Sequence, residues 1–76
     1  MIQAKVSSLP KFQVDVLYEC IDLIQNGYRI IVDVRDKQRW FLKLRHLTNG
    51  RVLILQWWEY GYLIREGDKV LKSVSD

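Results

Sequence analysis

The hydrophobic pattern of this chain changes its period at Gly27, and that change limits the folds open to it. Before Gly27 the apolar residues recur every three or four positions, as they do on one side of an α-helix. After Gly27 they alternate with polar residues, as they do along a half-buried β-strand. The sequence therefore predicts one helix followed by a run of strands, which is an α+β fold.

The predicted helix covers residues 10–26. Its apolar stripe consists of Phe12, Val16, Leu17, Cys20, Ile21, Leu23 and Ile24. Three carboxylates on the opposite stripe belong to Asp15, Glu19 and Asp22. Ser8 is the expected N-cap, with Pro10 in the first turn, because a proline there sacrifices no helical hydrogen bond. Asn26-Gly27 is the expected left-handed C-cap.

Five strands are predicted after the helix, at residues 28–35, 39–47, 51–58, 62–66 and 69–74. Glycines at positions 50, 61 and 67 fall between the later strands and mark turns. The third strand is apolar on both faces for much of its length, which is typical of a central strand. We expect an antiparallel meander with the helix packed on one face, and the same order of elements also fits a sheet curled into a small barrel.

The dipeptide Asn49-Gly50 is a strong signal for a tight hairpin turn. A two-residue type I′ turn at this place would pair Thr48 with Arg51, and it would carry the register along to Leu42 opposite Trp57.

A three-residue loop at residues 36–38 is predicted between the first two strands, because it brings Val34 opposite Trp40 and Ile30 opposite Leu44. The helix is then expected to cover Ile30, Val32, Val34, Trp40, Leu42, Leu44, Leu55 and Trp57. The other side of the sheet is expected to present Arg29, Ile31, Asp33, Arg35, Phe41, Lys43, Arg45, Ile54, Gln56 and Trp58.

The size and composition of the chain exclude several classes of protein. Its 76 residues are enough for a single domain spanning residues 1–76, and a chain that is 49% hydrophobic with a net charge of +3 is not intrinsically disordered. No stretch approaches the roughly 20 apolar residues of a membrane-spanning helix. No secretory signal is recognisable, and one cysteine cannot form an internal disulfide, so we expect a cytoplasmic protein.

The sequence contains no motif that indicates catalysis. It lacks a glycine-rich phosphate loop, a paired-histidine zinc helix, a Cys-x-x-Cys pair and a nucleophile elbow. His46 and Cys20, the only histidine and the only cysteine, cannot complete a zinc site within one chain. We predict that His46 is packed and hydrogen-bonded and that Cys20 is a small core residue. The expectation is a protein that is not an enzyme and needs no cofactor.

The distribution of charge gives the functional expectation. Residues 27–51 carry seven basic and two acidic side chains, whereas the helix is acidic. Basic and aromatic side chains on an open sheet bind single-stranded nucleic acid, since cations pair with phosphates while unstacked bases lie on aromatic rings. The predicted binding residues are Arg29, Arg35, Arg39, Phe41, Lys43, Arg45, Arg51 and Trp58.

The same predicted face is also apolar, which supports an alternative function. Ile31, Phe41, Ile54, Trp58 and Leu63 would lie together on it, and a patch of this kind is typical of a protein interface. The alternative is therefore a module that binds a protein partner or forms a homo-oligomer through this face. Strand five or residues 2–6 of the chain itself would also serve to cover it.

Overall fold

The structure, a computed structural model, describes residues 12–36 and 40–75. These residues form one helix and five strands: α1 (Gln13–Gln25), β1 (Tyr28–Arg35), β2 (Trp40–His46), β3 (Val52–Trp58), β4 (Gly61–Glu66) and β5 (Lys69–Ser75). The strands make one antiparallel sheet in chain order, with β3 at the centre. The α+β prediction is confirmed. Within the described residues the sheet is open rather than a barrel, because no pairing joins β1 to β5.

Helix α1 packs on one side of the sheet, here called the inner face. The core that they share consists of Phe12, Val16, Cys20, Leu42, Leu44, Leu53, Leu55, Trp57, Tyr62 and Ile64. Cys20 is buried, as predicted, and its burial raises the pKa of the thiol. α1 begins at Gln13, and the predicted Ser8 cap and Pro10 lie outside the described residues.

The helix is not buried along the whole of its predicted apolar stripe. Leu17, Ile21 and Ile24 are exposed, because these residues lie to one side of the line that faces the sheet. The exposed carboxylates of Asp15 and Asp22 lie toward the other side of that line.

His46 joins the end of α1 to the turn after β2. Its Nε2 lies 3.0 Å from the carbonyl oxygen of Asn26, and because a carbonyl only accepts, Nε2 donates and Nδ1 is left as an acceptor. Nδ1 accepts the backbone N–H groups of Thr48 at 3.2 Å and Asn49 at 3.3 Å. The ring also meets Tyr28 edge-on, with 4.9 Å between centroids. His46 is thus packed and hydrogen-bonded, as predicted.

The prediction of a type I′ turn at Asn49-Gly50 is wrong. The turn spans the four residues 47–50, and its only positive φ is the +73° of Gly50, whereas a type I′ turn needs two. Hydrogen bonds from the Thr48 and Asn49 backbone to His46 favour the longer turn. Leu42 pairs with Leu55 instead of Trp57, a register error of two residues. Since side chains alternate with a period of two, that error leaves every residue of β2 and β3 on its predicted face.

The register predicted between β1 and β2 is correct at Ile30, which pairs with Leu44, and wrong beyond it. A β-bulge at Ile31 inserts one unpaired residue, so Val32 pairs with Lys43 and Arg35 pairs with Trp40. One extra residue reverses the faces of the rest of the strand. Two apolar residues predicted to lie under the helix, Val32 and Val34, therefore point away from it. Asp33 and Arg35 point toward it.

We predict that Gly27→Ala destabilises the protein more than Gly50→Ala does. Both glycines have positive φ, but a Cβ on Gly27 would lie 2.9 Å from Nε2 of His46, whereas a Cβ on Gly50 would meet nothing within 4 Å. Left-handed strain costs about 1 to 2 kcal/mol at either site. Displacing His46 should cost about 1 kcal/mol more at Gly27 through its hydrogen bonds. Urea unfolding of the two variants measures the difference. Equal losses in the free energy of unfolding would show that the imidazole of His46 moves aside at no cost in stability.

Candidate nucleic-acid interface

The side of the sheet that faces away from α1 is here called the outer face. Strand pairing defines it, because residues directly opposite each other share a face. Its members are Arg29, Val32 and Val34 in β1, Phe41, Lys43 and Arg45 in β2, Val52, Ile54, Gln56 and Trp58 in β3, Leu63 and Arg65 in β4, and Val70 and Ser73 in β5. No second layer of the described residues covers this face.

The centre of the outer face is concave. Lys43 and Arg65 lie on either side of Ile54, their common partner in the strand register, and Phe41 pairs with Gln56 in the next row. These five side chains line a cavity of about 320 Å³. The cavity therefore combines two cationic groups, one aromatic ring and one amide that both donates and accepts hydrogen bonds.

The charge on the outer face is of one sign. Its four charged residues are Arg29, Lys43, Arg45 and Arg65. None of them forms an ion pair with a carboxylate among residues 12–36 and 40–75, and Arg65 donates instead to the carbonyl oxygen of Gly67 at 2.8 Å. No strand position that the structure places on this face carries an aspartate or a glutamate.

Several other basic residues of the sheet are neutralised. Arg35 is paired with Asp33 at 3.0 Å, and Lys72 is paired with Glu19. Arg51 donates two hydrogen bonds to the carboxylate of Glu66, at 2.8 and 3.0 Å. This contact lowers the pKa of Glu66 and raises that of Arg51. The four cations of the outer face are thus without an ion pair among the described residues, and these ion pairs lie off that face.

Arg29 and Arg45 are direct cross-strand partners at one end of the outer face. They line a second cavity, of about 240 Å³, with Ile31, His46 and Leu47. Like charges directly opposite each other destabilise a strand pair. The fold therefore places Arg29 and Arg45 opposite each other, with no carboxylate of the described residues paired to either. A bound anion would reduce the repulsion between the two guanidinium groups.

Two aromatic rings are available on the outer face. Phe41 is half-buried in the central cavity, and Trp58 is 37% exposed at the end of β3. Trp58 lies two residues beyond Gln56, the partner of Phe41, so the two rings are diagonal neighbours on adjacent strands.

The structure brings together five of the eight predicted binding residues, namely Arg29, Phe41, Lys43, Arg45 and Trp58. The predicted face is wrong for Arg35, which the bulge turns to the inner face. Arg51 is engaged by Glu66 near the β2–β3 turn. Arg39 lies outside the described residues.

Sequence reasoning missed two members of the central cavity. Gln56 was placed on the correct face but not in the site, and Arg65 was not placed at all because the alternation in the fourth strand is weak. The pairing of Trp58 with Gly61 settles the faces of β4. Leu63 was predicted on the outer face, and the alternation of side chains from Leu63 to Arg65 is the signal that could have found Arg65.

On the other side of the sheet, a contact among three residues ties α1 to the last two strands. The hydroxyl of Tyr62 donates to Oε2 of Glu19 at 2.9 Å, and Nζ of Lys72 reaches the same oxygen. Burial raises the pKa of the Tyr62 phenol, and the neighbouring Glu19 carboxylate raises it further. A depression of about 310 Å³ beside this contact is lined by Asp15, Tyr18, Glu19, Asp22 and Tyr62. The part of the chain that the structure describes has no cluster of three or more metal-ligating side chains.

Comparison with known proteins found no matching family model, no matching curated protein and no matching solved structure. Within the described ranges, no helix has both the length and the apolar character needed to cross a membrane. The geometry of the outer face is therefore the basis for a proposal about function.

We predict that Tyr62→Phe flattens the loss of stability at alkaline pH. A phenol with a raised pKa keeps its proton to higher pH in the folded state than in the unfolded chain. The contribution of the protonated Tyr62 phenol to the free energy of unfolding is therefore complete below about pH 10, the pKa of tyrosine in the unfolded chain. It is lost as the pH rises through the pKa of Tyr62 in the folded state. The measurement is the free energy of unfolding in urea across this range. Tyr60→Phe, at an exposed turn, is the matched control, and equal slopes for wild type and Tyr62→Phe would contradict the prediction.

Proposed function

We propose that this protein is a small, non-enzymatic binding module without a cofactor, and that its outer face binds single-stranded RNA or DNA. The observation that carries the proposal is the charge of that face. Arg29, Lys43, Arg45 and Arg65 lie on it without a carboxylate partner among the described residues, beside the rings of Phe41 and Trp58. The proposed setting is the cytoplasm, where a single cysteine stays reduced.

The central cavity suggests how one nucleotide would be held. Lys43 and Arg65 are placed to pair with a phosphate, and the ring of Phe41 offers a surface on which a base can stack. The amide of Gln56 can hydrogen-bond a base edge as donor or acceptor. Only an unpaired base can reach such a ring, so the site fits a single strand better than a duplex.

A protein partner at the same face is the second candidate, because valine, isoleucine, leucine and aromatic side chains surround the cations. Self-association there is disfavoured, since stacking two outer faces would bring together two sets of four unpaired cations. A protein that binds this face would have to be acidic. The unpaired cations therefore favour an anionic polymer, and base stacking distinguishes a nucleic acid from an acidic protein.

The first test compares two charge reversals by fluorescence anisotropy with an unstructured, labelled oligonucleotide. Lys43→Glu lies on the outer face, and Lys69→Glu lies in β5 outside it, yet both change the net charge equally. We expect Lys43→Glu to weaken binding strongly and to reduce the slope of log affinity against log salt by about one. Adding Arg45→Glu should abolish binding. Salt-independent binding, or equal effects of Lys43→Glu and Lys69→Glu, would overturn the proposal.

The second test concerns stacking. Phe41→Ala should weaken oligonucleotide binding by about 5-fold to 150-fold, because base–aromatic stacking contributes roughly 1 to 3 kcal/mol per base. Val34→Ala truncates the neighbouring partner of Phe41 without removing a ring, so it is the matched control. Binding of poly-glutamate measures the purely electrostatic part. If Phe41→Ala weakens poly-glutamate and oligonucleotide equally, the partner is an acidic protein and not a nucleic acid.

A further inference from the structure

We propose that a second copy of this chain docks along β1, by antiparallel pairing of the two β1 strands with the exposed side of each α1 facing the other. The surface involved, here called the β1 edge surface, consists of Val14, Leu17, Ile21 and Ile24 of α1 and Ile30, Ile31 and Val32 of β1. This inference concerns a surface that shares only Val32 with the outer face, and it does not rest on the proposed nucleic-acid function.

The contacts of α1 show which of its sides lies toward β1. Glu19 reaches Tyr62 in β4 and Lys72 in β5, so the acidic side of the helix lies toward those strands. Val14, Leu17, Ile21 and Ile24 follow one another at spacings of three and four residues and form a stripe on the other side. In a sheet ordered from β1 to β5, that other side lies toward the β1 edge.

The β1 edge surface is apolar and accessible. Its seven aliphatic residues are between 36% and 59% exposed. No charged residue belongs to the helical stripe, because Asp15, Glu19 and Asp22 all lie on the acidic side. A contiguous apolar patch of this kind is typical of an interaction site, and the charged residues beside it on the helix side of β1, Asp33 and Arg35, pair with each other.

The strand part of this surface also lacks a partner. β1 is paired only with β2 in the described residues, so the backbone N–H and C=O groups on its other side are open along eight residues. An open edge can pair with another strand, and the bulge at Ile31 confines regular pairing to the parts of β1 on either side of it. The opposite edge, β5, carries Lys69 and Lys72 and has the acidic side of α1 beside it. β1 also carries charged residues, but Asp33 and Arg35 pair with each other, and the apolar stripe of α1 lies on the side of this edge. Of the two edges, β1 is therefore the one better suited to burial.

A second copy fits both parts of the surface with a single symmetry axis. A two-fold axis through the middle of β1 pairs the strand with itself in antiparallel fashion and brings the two helical stripes to the same side of the joined sheet. An unrelated partner would need both a matching strand and a matching apolar helix.

The area available is close to that of a stable interface. Seven half-exposed aliphatic residues offer on the order of 500 Å² of apolar surface. The open backbone of β1 adds to this, and a standard interface removes about 800 Å² from each partner. The joined sheet would have ten strands, and its two outer faces would form one continuous basic surface.

Sedimentation of the full chain over a wide range of concentration, without nucleic acid, tests the proposal. We expect a dimer for the wild type and for Tyr60→Glu, which changes an exposed residue in the β3–β4 turn, and a monomer for Ile21→Glu. Far-ultraviolet circular dichroism and urea unfolding establish that Ile21→Glu is folded. A wild type that stays monomeric, or a dimer lost in Ile54→Glu but kept in Ile21→Glu, would overturn the proposal, the latter because Ile54 lies on the outer face.

Disulfide cross-linking gives a second readout that does not depend on a destabilised variant. Ile31→Cys places a thiol near the proposed axis, and Val70→Cys places one on the β5 edge at similar exposure, 49% against 52%. Cys20 is buried and serves as the shared background. We expect oxidation to give cross-linked dimers with Ile31→Cys only. Cross-linking that is equal in the two variants, or stronger with Val70→Cys, would contradict docking along β1.

Discussion

Burial of one face of the sheet by a single helix is the constraint on which the rest of this structure depends. Val16 of α1 belongs to one core with Leu44 and Leu55, and each of these three residues is at most 1% exposed. One helix covers only one side of a five-stranded sheet, so the two faces have different chemistry. The inner face must be apolar or neutralised, whereas the outer face is free to carry unpaired charge.

The bulge at Ile31 changes the character of both faces. Without it, Asp33 and Arg35 would lie outward and would place a carboxylate among the cations of the outer face. With it, the two residues pair with each other on the helix side, and the outer face keeps cations alone. The same bulge exposes Ile31 and Val32 at the edge of the sheet, where the proposed second copy would meet them. One inserted residue thus affects both proposed surfaces.

The ion pairs of the described residues determine which charged side chains are neutralised and which remain unpaired. Glu19, Glu66 and Asp33 each hold one cation, and these contacts tie α1 to β5, join the β2–β3 turn to the end of β4, and order the end of β1. They are exposed or half-buried pairs of the kind that contributes little to stability. Their effect is on the charge pattern, because three arginines and one lysine without an ion pair among the described residues project from one side of the sheet. Lys69 of β5 also has no ion pair there, and it lies off that side.

The sequence by itself determined the element order, the helix and the strands, because hydrophobic periodicity and glycine positions are local signals. It also placed Lys43, Arg45 and Phe41 on the outer face, since an error of two residues in the hairpin register does not alter the alternation of a strand. Only the tertiary structure decided the faces of Asp33 and Arg35 and the inclusion of Arg65 in the central cavity. A bulge without a glycine cannot be recognised from a single sequence. The face of each residue in a fourth strand also depends on the pairing of the strands before it. The exposed stripe of α1 was decided in the same way, because the apolar residues of the helix cover more of its circumference than the sheet can bury, and only contact with the sheet selects which of them are buried.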